Sequence, residues 1–278
     1  YEIVLGGAYP SVEPEIVAKM GLRYGISGEG EVAFTRLCQS LIHGEGRPED
    51  IPGIIIAEDN ERVWTKQPEL LTDLNNWLPD RSLMREGTYK LPFTGQIELA
   101  LASRGCPYWT CTFCSNTLTR PLYDGKGKQF RVRSVESIIQ EMEYAKKLCT
   151  NIRVVRFDDE VFPIRSDWIK EFKEKWPKRV GIPFEVLVDP RMVKQEPLQD
   201  LKEAGLRALC MGIQANGRVS KEFYNRNVSN EDIVHAQTVF QSVGIRSNLQ
   251  IIWDDPYSTE EDKSFVFTNL SGDYGASD

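Results

Sequence analysis

Three of the six cysteines crowd into one short stretch, Ser103-Arg-Gly-Cys-Pro-Tyr-Trp-Thr-Cys-Thr-Phe-Cys-Ser-Asn116. Their spacing is Cys-x4-Cys-x2-Cys at Cys106, Cys111 and Cys114, with no fourth cysteine or histidine close by. A structural zinc site takes four protein ligands, and an electron-transfer 4Fe–4S cluster takes four cysteines. Three thiolates on one tight loop suit instead a 4Fe–4S cluster with one iron left open, where a ligand can bind and react. On spacing alone, a redox-inert cysteine cluster or an incomplete zinc site is the competing reading. Gly105 and Pro107 fit a loop that bends sharply and lets backbone come close to the metal. Tyr108, Trp109 and Phe113 would screen the sulfurs from water and so tune the potential.

The other candidate groups point away from familiar sites. Cys38, Cys149 and Cys210 stand alone in apolar-periodic segments and read as buried small hydrophobes. With no secretory pattern in the sequence, a disulfide framework is not expected and a cytoplasmic protein is. There are two histidines, His43 and His235, far apart and each in an amphipathic stretch. That argues against multi-histidine zinc or iron centres and against a Ser-His-Asp triad.

The 278 residues carry 34 Lys and Arg against 41 Asp and Glu, a net charge of -7. This balance argues against nucleic acid or an anionic membrane as the main partner. Hydrophobic residues at 41% and charged residues at 27% are globular proportions. No apolar run approaches the ~20 residues that span a bilayer.

The elements that must position the cysteine loop follow from periodicity. Residues 1–5, 22–27, 53–57 and 62–66 read as strands, and 13–20 and 31–43 as helices. This alternation predicts a parallel sheet covered on both faces. Residues 1–66 are too few to bury such a sheet, and no initiator Met is present, so the front of a doubly wound domain is expected to be missing. Residues 67–95, punctuated by Pro68, Pro79, Gly87, Pro92 and Gly95, read as a linker with at most a short helix over 69–77.

A second alternation fills 96–278. Strands are expected at 97–102, 152–157, 184–188, 207–212 and 245–253, each followed by a helix. Ser134, Ser166 and Ser229 stand where N-caps belong, and Gly205 where a helix ends. Five βα units predict a partial (β/α) TIM-like barrel, read as cut short at its C-terminal end. The cysteine loop comes directly after the first of its strands, at the end where parallel barrels gather function.

Arg-Gly-Cys-Pro-Tyr-Trp-Thr-Cys-Thr-Phe-Cys resembles the cluster loop of the radical S-adenosylmethionine (radical SAM) superfamily. The commoner spacing there is Cys-x3-Cys-x2-Cys, so the first gap is one residue longer here. The resemblance runs on through the chain. Gly-Gly-Ala-Tyr-Pro-Ser-Val-Glu-Pro-Glu (6–15) and Gly-Glu-Gly-Glu (28–31) resemble the end of the Rossmann-like, cobalamin (B12)-binding-type domain that precedes many radical SAM barrels. Arg156 to Phe162, Gly212 to Asn216 with Tyr-Asn-Arg at 224–226, and Asn248 to Asp262 resemble segments after the second, fourth and fifth barrel strands. The cobalt-ligating histidine motif of many such domains is not in this sequence.

The resemblance implies a 4Fe–4S cluster on Cys106, Cys111 and Cys114, S-adenosylmethionine as cosubstrate, and cobalamin as a candidate cofactor. It implies reductive cleavage of S-adenosylmethionine and radical modification of a small-molecule or peptide substrate, with methyl transfer favoured and ring cyclisation a further option. An electron donor such as flavodoxin or ferredoxin is the expected protein partner. Asp159 or Glu160, within Asp158-Asp159-Glu160, would accept the ligand ammonium. Arg226 would pair with its carboxylate through a forked guanidinium. Gln214 would hydrogen-bond ribose, and Phe113 would pack on adenine. Gly6 and Gly7 could let backbone approach a macrocycle or its nucleotide tail. Two other readings are a methylthiotransferase, which would need a second cluster although Cys38 is the only cysteine ahead of the loop, and a non-enzymatic iron–sulfur or zinc protein.

Overall fold

The computed structural model describes residues 1–58, 62–83 and 96–270. The chain divides into two compact units: residues 1–73 with 113–129, and residues 74–112 with 130–278.

In the first unit a four-stranded sheet has the order β1 (Val4–Leu5), β2 (Tyr24–Ile26), β3 (Ile54–Glu58), β4 (Arg62–Thr65). Helices α1 (Ala8–Val12) and α2 (Ile16–Lys19) cross from β1 to β2, and α3 (Gly30–His43) comes after β2. The helix expected over 13–20 is present as α2, shortened to residues 16–19, and α1, which precedes Pro14, was not expected. The expected parallel pairing holds for β1 and β2 only. β3 pairs antiparallel with both β2 and β4. The link from β3 to β4 is far shorter than the dozen residues a parallel crossover needs, so that pair had to be antiparallel.

Both faces of this sheet are nevertheless covered. Ile54 and Ile56 pack with Tyr24, Ala33 and Leu37 on one side, and Ile55 and Ala57 with Val17 and Ala18 on the other. Close approach of α2 depends on Gly25, where a Cβ would lie 2.5 Å from Val17 Cγ2. Residues 113–129 add the short helix α4 (Ser115–Thr119) and a 3-10 turn at Arg120–Tyr123. The Tyr123 hydroxyl accepts from Glu29 N–H at 2.7 Å, and Lys126 Nζ donates to the Pro68 carbonyl at 2.6 Å. The helix expected over 69–77 does not form, and residues 84–95 of the expected linker lie outside the described residues.

The second unit holds five strands in the order they occur in the chain, all pairs parallel: β5 (Gln96–Ala100), β8 (Ile152–Phe157), β9 (Phe184–Val188), β10 (Leu206–Gln214) and β11 (Arg246–Ile251). A two-stranded ribbon, β6 (Ser103–Arg104) with β7 (Arg131–Val132), brackets the segment that begins with the cysteine loop. Helices α5 (Val135–Leu148), α6 (Ser166–Arg179), α7 (Gln195–Ala204), α8 (Gly217–Glu222), α9 (Asn230–Val243) and α10 (Glu260–Leu270) complete the βα alternation. This is the expected partial TIM-like barrel.

Local chemistry sets the helix starts. Ser134 Oγ accepts from Ser137 N–H at 3.2 Å. Ser229 and Asp232 form a reciprocal capping box at 3.1 and 2.8 Å. Ser166 is the first helical residue and Arg165 the cap, one position earlier than expected. Gly205 ends α7 at φ 112. The helix-facing side of the sheet is an aromatic core of Phe157, Phe162, Trp168, Phe172, Trp176 and Phe184, in edge and stacked contacts with centroids 4.7 to 6.4 Å apart. Two indole N–H groups find carbonyls, Trp168 on Arg133 at 2.8 Å and Trp176 on Ile182 at 2.9 Å. The core fixes which residues of β8, β9 and β10 point the other way, because side chains alternate along a strand. Arg156, Glu185 and Cys210 are on that opposite side, each half-buried.

Candidate active site at the cysteine loop

β5 delivers the chain to Ala102 and Ser103, and there a buried carboxylate receives it. Asp159 is 1% exposed. It accepts from the Ser103 hydroxyl at 2.6 Å, from Ala102 N–H at 3.2 Å, and from Ser103 N–H. Burial pushes its carboxyl up to about 7 against the lowering effect of those bonds. Asp159 therefore ties the end of β8 to the stem of the loop. Its neighbours Asp158 and Glu160 are exposed. Of the two carboxylates expected to meet an ammonium group, Glu160 is free to do so and Asp159 is occupied by the loop stem.

Past the stem, the backbone turns twice through the left-handed region, at Gly105 (φ 84) and at Trp109 (φ 53). Trp109 lies in the longer first gap, so the extra residue is absorbed in a turn. Tyr108 N–H points at Cys106 Sγ at 3.5 Å. The guanidinium of Arg191 stacks on the Tyr108 ring, 3.3 Å from its centroid. The segment after α8 holds the other half of the loop. Asn225 Nδ2 donates to the Thr110 carbonyl at 3.1 Å, Thr112 N–H to the Tyr224 carbonyl at 3.0 Å, and Thr112 Oγ1 to the Phe223 carbonyl at 2.9 Å. Asn225 itself takes a left-handed turn, φ 47.

Cys106, Cys111 and Cys114 are all half-buried and form no disulfide. Cys106 and Cys111 fall in the barrel unit, while Cys114 caps α4 and is counted with the first unit. Among the described residues no three cysteine, histidine or carboxylate side chains already converge on one point as metal ligands. The donor set nevertheless fits an iron–sulfur group in kind. The thiols are reduced, partly screened, and carried on a loop anchored at its stem, at Tyr108 and at Thr110–Thr112. An N–H group already faces one sulfur.

Arg226 is 4% exposed. Its guanidinium donates to the Ile213 carbonyl at 2.7 Å, the Gly212 carbonyl at 2.5 Å and Asp189 Oδ2 at 2.9 Å. It is thus engaged at the end of β10. Asp189 also binds Arg191 in a fork, at 2.7 and 2.9 Å. Burial alone would raise the Asp189 carboxyl, but the two guanidiniums hold it below its ordinary value. Gln214 has φ 68, and its carboxamide folds back over Gly212, where a Cβ would sit 2.7 Å from Nε2. Phe113 is 41% exposed and belongs to the first unit.

The sequence reading missed Ser103, Asp189 and Arg191. The rule that singled out Asp158–Glu160, charge at the C-terminal end of a barrel strand, applies equally to Asp189-Pro-Arg191 just after β9. The isolated cysteines differ from expectation: Cys38, Cys149 and Cys210 are half-buried rather than buried. Cys210 faces the side of the sheet away from the aromatic core, and burial pushes its thiol up. No helix among the described residues is long and apolar enough to cross a membrane.

Residues 101–266 match the family model of the radical SAM superfamily. An uncharacterised methyltransferase of Synechocystis is 25% identical over 229 residues, which is 80% of this chain and 37% of the relative. Among solved structures, the radical S-adenosylmethionine methyltransferase TsrM of Kitasatospora setae, with cobalamin and a [4Fe–4S] cluster bound, superposes with a TM-score of 0.73 at 20% identity, covering 97% of this chain and 53% of TsrM. The cobalamin-dependent S-adenosylmethionine radical enzyme OxsB gives a TM-score of 0.75 at 20% identity, covering 96% of this chain and 38% of OxsB. The fold is therefore shared with these proteins, and the chain spans about half or less of their length.

Proposed function

The chain belongs to the radical SAM superfamily, and on that premise we propose that it uses a 4Fe–4S cluster to cleave S-adenosylmethionine reductively and modify a substrate. The observation that carries this reading is the cysteine loop itself, set at the C-terminal end of a parallel strand and tied down at three places within one barrel unit. Cys106, Cys111 and Cys114 would hold the cluster and leave one iron for the ligand. Such a cluster supplies one electron to the sulfonium of bound S-adenosylmethionine and so initiates radical chemistry.

The remaining residues bind and orient. Glu160, exposed beside the loop stem, accepts the ligand ammonium, while Asp159 holds the stem that presents the loop. Arg226 offers the ligand carboxylate a positive field, and its direct bonds stay with Asp189 and the β10 carbonyls. Gln214 presents its carboxamide over Gly212 for ribose hydroxyls, and Phe113 offers an aromatic face for adenine. Holding Glu160 and Gln214 at strand ends orders the reacting atoms.

Methyl transfer is the favoured reaction, supported by the Synechocystis relative and by TsrM. Cobalamin is the candidate second cofactor, held by the first unit, since both TsrM and OxsB have it bound. A small molecule or peptide is the substrate class, and a flavodoxin or ferredoxin the electron source. The test is anaerobic reconstitution of the full protein with iron and sulfide, then addition of dithionite and S-adenosylmethionine. The proposal expects 5′-deoxyadenosine, lost in the Ser variant of Cys106, Cys111 or Cys114 and retained in Cys38→Ser and Cys149→Ser. A brown, iron-loaded sample that leaves S-adenosylmethionine intact would overturn it.

A further inference from the structure

We propose that Arg191 is a positioning residue that fixes the cysteine loop through Tyr108 and sets the potential at which a cluster on that loop accepts its electron. The inference rests on the reading of the loop as an iron–sulfur site.

Four groups of the barrel unit form a continuous chain of contacts. Arg226 is pinned to the Gly212 and Ile213 carbonyls at the end of β10. Asp189, at the end of β9, takes Arg226 on Oδ2 and Arg191 on both oxygens. Arg191 in turn sits over the Tyr108 ring, two residues from Cys106. A guanidinium held in a carboxylate fork has a fixed plane, so the ring stacked on it is fixed too. Cation–π contacts reach to about 6 Å from the centroid, and this one at 3.3 Å is well inside that range.

The charge count matters as much as the geometry. Two guanidiniums share one carboxylate, which leaves one positive charge beside the loop. Arg191 is the member nearer the loop, and the Cys111 thiol lies within its electrostatic range. Adding an electron to a thiolate-bound cluster makes it more negative, and a nearby cation favours that state. Net charge and solvent exposure are what set such potentials. Arg226 lies one step further along the chain of contacts, bonded to the Gly212 and Ile213 carbonyls and to Asp189 rather than to the loop.

The experiment is a redox titration of the reconstituted full protein, followed by EPR, with Arg191→Met, Arg191→Lys and Tyr108→Leu. Arg191→Met keeps an unbranched apolar stem and loses the charge. At a fixed potential its ratio of reduced to oxidised cluster should fall about tenfold, which is about 59 mV for a one-electron couple. Arg191→Lys keeps the charge and should recover most of that loss. Tyr108→Leu removes the stacked ring and should speed iron release to a chelator about tenfold. Wild-type protein that loads no cluster would defeat the reading on which the inference rests. Wild-type protein that loads normally, with Arg191→Met titrating at the wild-type potential or Arg191→Lys shifting as far as Arg191→Met, would overturn the inference alone.

Discussion

Asp159, offered by the sequence as a ligand for an ammonium group, is bonded in the fold to the stem of the cysteine loop. Its carboxyl is raised to about 7 because burial disfavours the ionised form more than its three hydrogen bonds favour it. For an acid raised in the folded state, the folded protein binds the extra proton. Its stabilising contribution is therefore complete below the unfolded value near 4 and is lost as pH rises through about 7. Melting temperatures of wild-type protein should thus decline relative to Asp159→Asn between pH 4 and 7, and parallel curves would contradict this. Asp159→Ala leaves the Ala102 and Ser103 donors without an acceptor and should cost about 1–3 kcal/mol by denaturant unfolding. A second test concerns Gly212. An Ala there would push the Gln214 carboxamide aside, so Gly212→Ala should weaken S-adenosylmethionine binding about tenfold with an unchanged melting temperature.

At the scale of elements, β5 stands at the edge of its sheet among the described residues, and arginines protect it there. The outward carbonyls of Leu99 and Leu101 accept from Arg81 at 2.7 Å and from Arg133 at 2.9 Å. Glu141, 2% exposed on α5, binds both guanidiniums. An edge strand with unpaired carbonyls invites foreign pairing, and these side chains occupy the positions another strand would use. Removing the shared carboxylate leaves the buried Arg133 guanidinium without its anionic partner, while Arg81 still meets Glu98, so Glu141→Leu should cost about 3–5 kcal/mol, measured by urea unfolding. A loss below about 1 kcal/mol would show that Arg133 finds another partner.

Much at this level was legible in the sequence, because it is local. The five βα units, the Ser134 and Ser229 caps and the Gly205 terminator all derive from neighbours a few residues apart. The features that escaped were set by partners distant in the chain. The antiparallel pairing of β2 with β3, the tie from Asp159 to Ser103, and the grip of Asn225 and Thr112 across more than a hundred residues leave no periodic trace. The helix expected over 69–77 failed for a related reason. Its residues serve partners elsewhere: Asn75 Oδ1, for example, accepts from Ser134 N–H at 2.8 Å.

For the whole molecule, family membership turns on residues 101–266, and the cysteine loop at the start of that span is where the proposed chemistry is placed. The first unit, a mixed four-stranded sheet with both faces covered, is a separate compact body to which cobalamin binding is assigned as a proposal. That assignment predicts that the full protein retains hydroxocobalamin through gel filtration, read by its visible absorption. Elution of the protein free of pigment would count against it. The most direct measurement of the central claim is the EPR spectrum of the reduced, reconstituted protein before and after S-adenosylmethionine is added. An iron left open by Cys106, Cys111 and Cys114 will take the ligand, and the g-values will shift. A spectrum that S-adenosylmethionine leaves untouched would mean that the fourth iron is already held by the protein, and the proposed chemistry would fall with it.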